Sequence, residues 1–197
     1  MAITDMETTG IRERTDGPPA ALPGNLMIWI LIVSELAAFG AAFLGFSVAR
    51  AFDPAGFAAG QAGLDGTLGA VNTMVLVTSG YLAARAVAAG RRGAPSQARL
   101  ALAAAALLAA VFLAVKAVEY AHLIGAGLTI DSGGFHTLYF LLTGFHALHV
   151  AAGMVILPLV GFSGRETLVD NLETGAAFWH MVDLVWVLLY PLVYLIR

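Results

Sequence analysis

The sequence predicts an all-α protein with five membrane-spanning helices, and two observations lead to that fold class. Hydrophobic residues make up 59% of the 197 residues and charged residues only 12%, whereas a soluble domain is about 45–50% apolar. The apolar residues also fall into five long runs, each close to the roughly 20 residues that a helix needs to cross a bilayer. The chain has no cysteine and a net charge of -3, which argues against thiolate metal sites and against a nucleic-acid partner.

Residues 1–24 are polar and lack the apolar core of a signal peptide, so we interpret them as a cytoplasmic tail. Residues 25–197 are predicted to form a single transmembrane domain. Its five spans are predicted at residues 25–50, 68–89, 100–123, 135–161 and 175–196.

Each predicted span has its own features. The first contains a single charge, Glu35, and ends before a loop, 51–67, that carries Asp-Pro and Asp-Gly turn signals. The second span ends at a group of arginines. The third is rich in alanine, and because small side chains let helices approach closely, we expect it to pack inside the bundle. A glycine-rich loop precedes the fourth span, whose last turn should bend at Pro158. A polar connection, 161–174, precedes the fifth span, which contains the kink-forming Pro191.

The distribution of arginines predicts the orientation of the bundle. One side of the membrane has the predicted tail, the second–third connection and the fourth–fifth connection. The arginines in or next to these segments are Arg12, Arg14, Arg85, Arg91, Arg92, Arg99 and Arg165. The opposite side has Arg50 and Arg197, with Lys116 close to it. We therefore expect the N-terminus to be cytoplasmic and the C-terminus periplasmic.

A first set of ionisable side chains falls at a similar depth in three different spans. Its members are Glu35, His146, His149, His180 and Asp183. At the helical rise per residue, Glu35 lies about 14 Å and Asp183 about 12 Å from the cytoplasmic starts of their predicted spans. Because hydrocarbon offers no water to these groups, we expect all five to meet in one buried hydrogen-bonded cluster.

A second set of polar side chains lies toward the periplasmic ends of the predicted spans. Its members are Asn72, Thr73, Lys116, Glu119 and Tyr120, with His122 and His136 as further candidates. Lys116 and Glu119 are three residues apart and therefore share one face of a helix. The favoured interpretation is a salt bridge that neutralises two costly intramembrane charges.

The five-residue buried cluster is open to three interpretations. Interhelical hydrogen bonds that fix the packing of the helices are favoured, each contributing about 0.6 kcal/mol and at most about 2. The second interpretation is a proton relay. The third is a metal centre, which would be either an intramembrane zinc hydrolase using Glu35, His146, His149, His180 and Asp183, or a b-type haem held between the fourth and fifth spans.

Several stretches resemble the cytochrome c oxidase subunit III family of haem–copper oxidases. The matching stretches are Ser34-Glu35, Asn72-Thr73, Thr78-Ser79-Gly80, Glu119-Tyr120, the segment TGFHALHV at 143–150 and the segment WHMVDLVW at 179–186. They occur in the family's order and cover residues 25–197. The last two are the most specific.

The resemblance implies an accessory membrane subunit without a redox centre, a bound metal or a cofactor of its own. Such a subunit packs beside the catalytic haem-containing subunit, binds phospholipid between its helices and supports proton uptake. Full-length family members have seven spans, and this chain resembles them from the third span onward. With its five spans and Lys116, the chain is most similar to the short branch associated with nitric oxide reductase. We therefore expect a multi-pass subunit of an oxidase or nitric oxide reductase in the bacterial plasma membrane.

Overall fold

The structure is a computed structural model that describes residues 26–164 and 166–196, so the predicted tail lies outside the described residues. The described residues form six α-helices: α1 (Leu26–Phe52), α2 (Pro54–Ala62), α3 (Gly66–Arg91), α4 (Pro95–Gly125), α5 (Gly134–Gly161) and α6 (Leu168–Tyr190). A π-helical turn, Pro191–Leu195, continues α6. Five helices are long and apolar enough to span a membrane, which confirms the predicted fold class.

The five spanning helices, α1, α3, α4, α5 and α6, alternate in direction through the bundle. We call the end at which α1, α4 and α6 begin the proximal end, and the end at which α3 and α5 begin the distal end. The short helix α2 lies at the distal end between α1 and α3.

The predicted loop at 51–67 was wrong in part, because it contains α2. Asp53 caps this helix by accepting a hydrogen bond from the N–H of Gly56 at 3.0 Å, and Pro54 occupies its first turn. Phe57 and Gln61 on its inner face are buried. The Asp-Pro dipeptide was interpreted as a turn signal, although the same pair also starts helices.

The last spanning helix begins at Leu168, seven residues before the predicted start at Gly175. Leu168 and Leu172 are one helical turn apart and both are buried, so they anchor the additional turns to the bundle. The polar residues around them obscured this pattern in the sequence.

Two tryptophans of α6 hold the centre of the bundle. Both are fully buried, and α6 is the most buried of the five spans, whereas α1 is the least buried. The indole N–H of Trp179 donates to Ser79 on α3 at 3.1 Å, and that of Trp186 donates to Thr73 on α3 at 2.9 Å. The ring of Trp179 also packs directly on Gly153 of α5. Each tryptophan therefore satisfies its polar atom while filling the core.

The alanine-rich helix α4 packs closely on α3. Only 28% of its apolar window is buried, less than in α3, α5 or α6, so the expectation that it lies inside the bundle was wrong. Ala98, Ala105 and Ala109 on its inner face are buried. The hydroxyl of Ser79 on α3 donates to the carbonyl oxygen of Ala105 at 2.8 Å. Such a bond between a short side chain and a neighbouring backbone requires the close approach that small residues allow.

The contact between Gly153 and Trp179 can be tested by adding one methyl group. Gly153→Ala should destabilise the protein by about 1–3 kcal/mol, because the new Cβ would overlap the Trp179 ring. Gly45→Ala on α1 is the matched control, since a Cβ there meets no atom within 4 Å. The control should be neutral or stabilising by up to about 1 kcal/mol through helix propensity. Denaturant titration in one detergent compares them, and equal stability of the two variants would contradict the packing.

Candidate functional site

The structure does not join the five buried ionisable residues into one cluster. Nε2 of His149 lies 3.2 Å from Oε2 of Glu35, and Nδ1 of His180 lies 3.7 Å from Oδ2 of Asp183. Neither ring nitrogen of His146 has a hydrogen-bond partner among the described residues. The predicted single cluster is therefore corrected to two pairs and one separate histidine. Equal depth along the helices does not bring side chains together when they lie on different helix faces.

The first pair links α1 to α5. Nδ1 of His149 lies 2.9 Å from the backbone oxygen of Phe145, which can only accept, so this nitrogen carries a hydrogen. Its other nitrogen then contacts the carboxyl oxygen of Glu35. The contact therefore joins an acidic side chain of one spanning helix to an imidazole of another.

His146 is a packing residue in the aromatic core. Its side chain is fully buried, and its ring stacks on Trp186 with centroids 5.1 Å apart and planes 29° apart. The ring of Phe112 on α4 meets it edge-on at 5.7 Å. His146 thus faces α4 and α6, whereas His149 faces α1.

The second pair lies beside a groove between α1, α3 and α6. The His180 side chain is 48% exposed and lines this groove, whereas the Asp183 side chain is only 12% exposed. Their 3.7 Å separation is too long for a hydrogen bond. Oδ2 of Asp183 rests against Gly80 on α3, where a Cβ would collide with it. The buried carboxylate therefore depends on a glycine that the sequence analysis noted only as part of a motif.

The predicted salt bridge between Lys116 and Glu119 is confirmed at 3.0 Å, and it belongs to a larger buried network. Nζ of Lys116 also donates to the hydroxyl oxygens of Tyr139 and Tyr194, each at 2.9 Å. Those two hydroxyls donate in turn to Oε1 of Glu119 at 2.8 and 2.7 Å. We call these four residues the Lys116 network. All three N–H donors of the ammonium group find an acceptor within it.

Sequence reasoning missed both tyrosines of the Lys116 network. Tyr139 lies on α5 and Tyr194 on the π-helical turn, 20 and 75 residues from Glu119. Two signals were available: a tyrosine inside an apolar span needs a partner for its hydroxyl, and the lysine has more donors than one carboxylate satisfies.

The other predicted members of the distal set bond elsewhere. The amide of Asn72 donates to the backbone oxygen of Phe112 at 3.3 Å, and Thr73 accepts from Trp186. The Tyr120 hydroxyl pairs with that of Thr143. His122 is exposed, and His136 is buried with its Nε2 unpartnered among the described residues. The distal set therefore consists of separate contacts around the Lys116 network.

A metal centre is not supported by the described part of the chain. No group of three His, Asp or Glu side chains within it could hold a metal ion. The zinc hydrolase alternative required Glu35, His146, His149, His180 and Asp183 to converge, and they do not. The haem alternative required a slot between α5 and α6 near His146, where Trp186 instead stacks directly on the imidazole.

These features define a multi-pass helical membrane protein whose intramembrane charges are largely held in pairs. The family model described as Cytochrome c oxidase subunit III matches residues 24–196, and the chain belongs to that family. The resemblance in the motifs is thereby confirmed.

Three curated relatives show how far the similarity extends. A protein of Aeropyrum pernix named "Heme-copper oxidase subunit I+III" is 32% identical over 182 residues, which cover 86% of this chain but 22% of the relative's length. The Synechocystis cytochrome c oxidase subunit 3 is 31% identical over 85% of this chain and 73% of its own length. A probable cytochrome c oxidase subunit 3 of Nocardia farcinica is 30% identical over 91% and 90%, respectively. Association with nitric oxide reductase stays a prediction.

The Lys116 network predicts an unequal response to the loss of each charge. Glu119→Leu should destabilise by about 3–5 kcal/mol, because it leaves a buried ammonium group without its carboxylate. Lys116→Met should cost less, because Glu119 keeps both tyrosine donors. The double variant should be more stable than Glu119→Leu alone. Denaturant titration measures the free energy of unfolding of all three variants. A loss in the double variant equal to the sum of the two single losses would contradict the network.

The contact between Glu35 and His149 predicts that an amide can replace the carboxyl group. Glu35→Gln should stay within about 1 kcal/mol of the parent protein, because its N–H₂ group donates to Nε2 of His149. His149→Ala should cost about 1–3 kcal/mol, because it leaves Glu35 unsatisfied. The same titration compares the two variants, and a Gln variant as unstable as the Ala variant would contradict this account of the contact.

Proposed function

We propose that this chain is a noncatalytic accessory subunit that packs against the catalytic subunit of a haem–copper respiratory complex. The observation that carries the proposal is family membership across residues 24–196. The Aeropyrum relative supports it, because its name joins subunits I and III in one protein. A covalent fusion of this kind is expected when the two parts function in contact.

The arrangement of the buried charges supports a stabilising role over a catalytic one. Lys116 and Glu119 are fully occupied by each other and by two tyrosines. Glu35 and His149 contact each other at 3.2 Å. Side chains that bond to one another across helices fix the positions of those helices.

We place the contact with the catalytic subunit on the outer face of α1. This span is the least buried of the five, so most of its surface is open to a neighbouring helix. Ala37, Ala41 and Gly45 lie four residues apart on this exposed face. Small residues at this spacing let a second transmembrane helix approach the backbone closely.

The proposed orientation puts the proximal end in the cytoplasm of a bacterial cell. Arg91, Arg92 and Arg99 lie at this end of the bundle, whereas the distal end carries Arg50. An excess of arginine on one side is typical of the cytoplasmic face. The chain would then be a multi-pass protein of the plasma membrane.

Two further roles are proposed for the contact with the catalytic subunit. Phospholipid would fill the space beside α1. The Glu35–His149 pair would support proton uptake, because both side chains are ionisable and partly exposed, by 24% for Glu35 and 14% for His149. With its five spans and Lys116, the chain is similar to the short branch of the family associated with nitric oxide reductase. Nitric oxide reductase is therefore a candidate partner complex, in addition to the terminal oxidases.

Co-purification tests the proposal directly. The affinity-tagged chain, expressed in its own host, should recover a large haem-containing subunit in mild detergent, detected by its absorption spectrum and by mass spectrometry. Assays of the recovered complex with oxygen and with nitric oxide then assign the terminal acceptor. Recovery of the folded chain without any haem subunit would refute the proposed function.

A matched pair of variants tests the interface on α1. Gly45→Leu should reduce recovery of the haem subunit about tenfold or more, because it fills the surface that a partner helix must approach. Ala114→Leu, on the exposed face of α4, is the control and should recover as much as the parent chain. Equal recovery with both variants would contradict the placement of the contact.

A further inference from the structure

A cavity of about 300 Å³ lies at the distal end of the bundle, between α2 and the start of α5. It is separate from the outer face of α1 and from the Lys116 network. Glycine makes up much of its lining, and because glycine has no side chain, the backbone itself forms these walls. The lining glycines are Gly56, Gly60, Gly63, Gly133 and Gly134.

The wall formed by α2 is held in place by packing on α5. Gly60 lies directly against the ring of Phe135, where a Cβ would overlap the ring atoms. Phe57 is fully buried and meets the same ring edge-on, with centroids 5.7 Å apart. The distance between the two walls is therefore fixed by buried aromatic contacts, and the cavity is part of the folded structure.

The start of α5 presents backbone donors that have no acceptor. The first N–H groups of a helix find no partner within it, and Gly133 at the N-cap has no side chain to bond them. The N–H groups of Gly134, Phe135 and His136 have no acceptor among the described residues. All three residues line the cavity. A helix start of this kind favours an anion, because its N–H groups and the helix dipole present partial positive charge.

The side chain of His136 is a second and independent indication of a ligand. His136 is only 8% exposed, and its Nε2 atom has no hydrogen-bond partner among the described residues. The residue lines the same cavity. A buried polar atom without a partner is unfavourable, so a ligand that bonds to this imidazole would remove a cost that the chain otherwise carries. An imidazole N–H can donate to the oxygen of an anion.

The other polar side chains of the lining are already bonded within the chain. Asp53 is the only acidic residue that lines the cavity in the described part of the chain, and its Oδ1 accepts from the N–H of Gly56 at 3.0 Å. The carboxylate of Asp53 is therefore the capping group of α2. The hydroxyl oxygen of Ser132 accepts from the N–H of Thr129 at 2.8 Å. The donors at the start of α5 and His136 remain for a ligand.

We propose that this cavity binds a small oxyanion, either phosphate or a carboxylate, through the N–H groups at the start of α5 and the imidazole of His136. The two kinds of ion share the acceptor oxygens that these donors require. The site does not depend on the proposed function.

Isothermal titration calorimetry of the full-length protein in detergent tests the proposal, with sodium phosphate and sodium acetate as separate probes at constant ionic strength. At least one ion should bind saturably at one site per chain, and the tighter of the two identifies the preferred oxyanion. His136→Leu should weaken this binding about tenfold, because it removes a hydrogen bond to a charged ligand. His122→Leu is the matched control and should bind like the parent chain, since His122 is exposed at the same end of the bundle and outside the lining.

Asp53→Asn provides a second test with the opposite sign. It should tighten the binding of the ion, because it removes a negative charge from the lining and keeps an oxygen that can cap α2. Weaker binding in this variant would show that the cavity attracts a cation and would overturn the proposal.

Three further results would also overturn the proposal. These are the lack of saturable binding with both ions, unchanged binding in His136→Leu, and an equal loss in His122→Leu. Denaturant titration without added ion verifies that the variants are folded. His136→Leu should then be at least as stable as the parent protein, because it removes an unsatisfied buried polar group.

Discussion

The structure depends on the fact that hydrocarbon offers no hydrogen-bond partner to an ion. Lys116 lies inside a spanning helix with only 4% of its side chain exposed, so every one of its donors must be satisfied by the chain. Glu119 supplies one acceptor and the hydroxyls of Tyr139 and Tyr194 supply the others. Because these residues come from α4, α5 and the turn after α6, satisfying one charge fixes three elements relative to one another.

The short helix α2 also supports the Lys116 network at the distal end of the bundle. The side-chain amide of Gln61 on α2 donates to the backbone oxygens of Val193 and Ile196, each at 2.9 Å. The π-helical turn that carries Tyr194 is thereby held from two sides, by α2 through its backbone and by the Lys116 network through its hydroxyl. The nine-residue helix α2, which is not one of the spanning helices, therefore helps to hold the buried ion pair in place.

The spans could be predicted from the sequence, because apolar runs of sufficient length have few alternatives in a membrane. The bond between Lys116 and Glu119 could also be predicted, since three residues along a helix place side chains together. The partners of His146 could not be predicted from the sequence. The depth of a residue in the membrane does not say which neighbouring helix its side chain faces. That direction is set by tertiary contacts such as the stacking of Trp186, which no local pattern encodes.

Basic side chains at the two ends of the bundle have different surroundings. At the distal end, the buried cation faces inward, and tyrosines from neighbouring helices complete its shell. At the proximal end, Arg85 and Arg92 face outward, where the described residues provide no carboxylate. Because the buried cation has no other source of acceptors, its requirement for hydrogen bonds fixes the fold at the distal end. The exposed arginines at the proximal end place no such requirement on the packing of the helices.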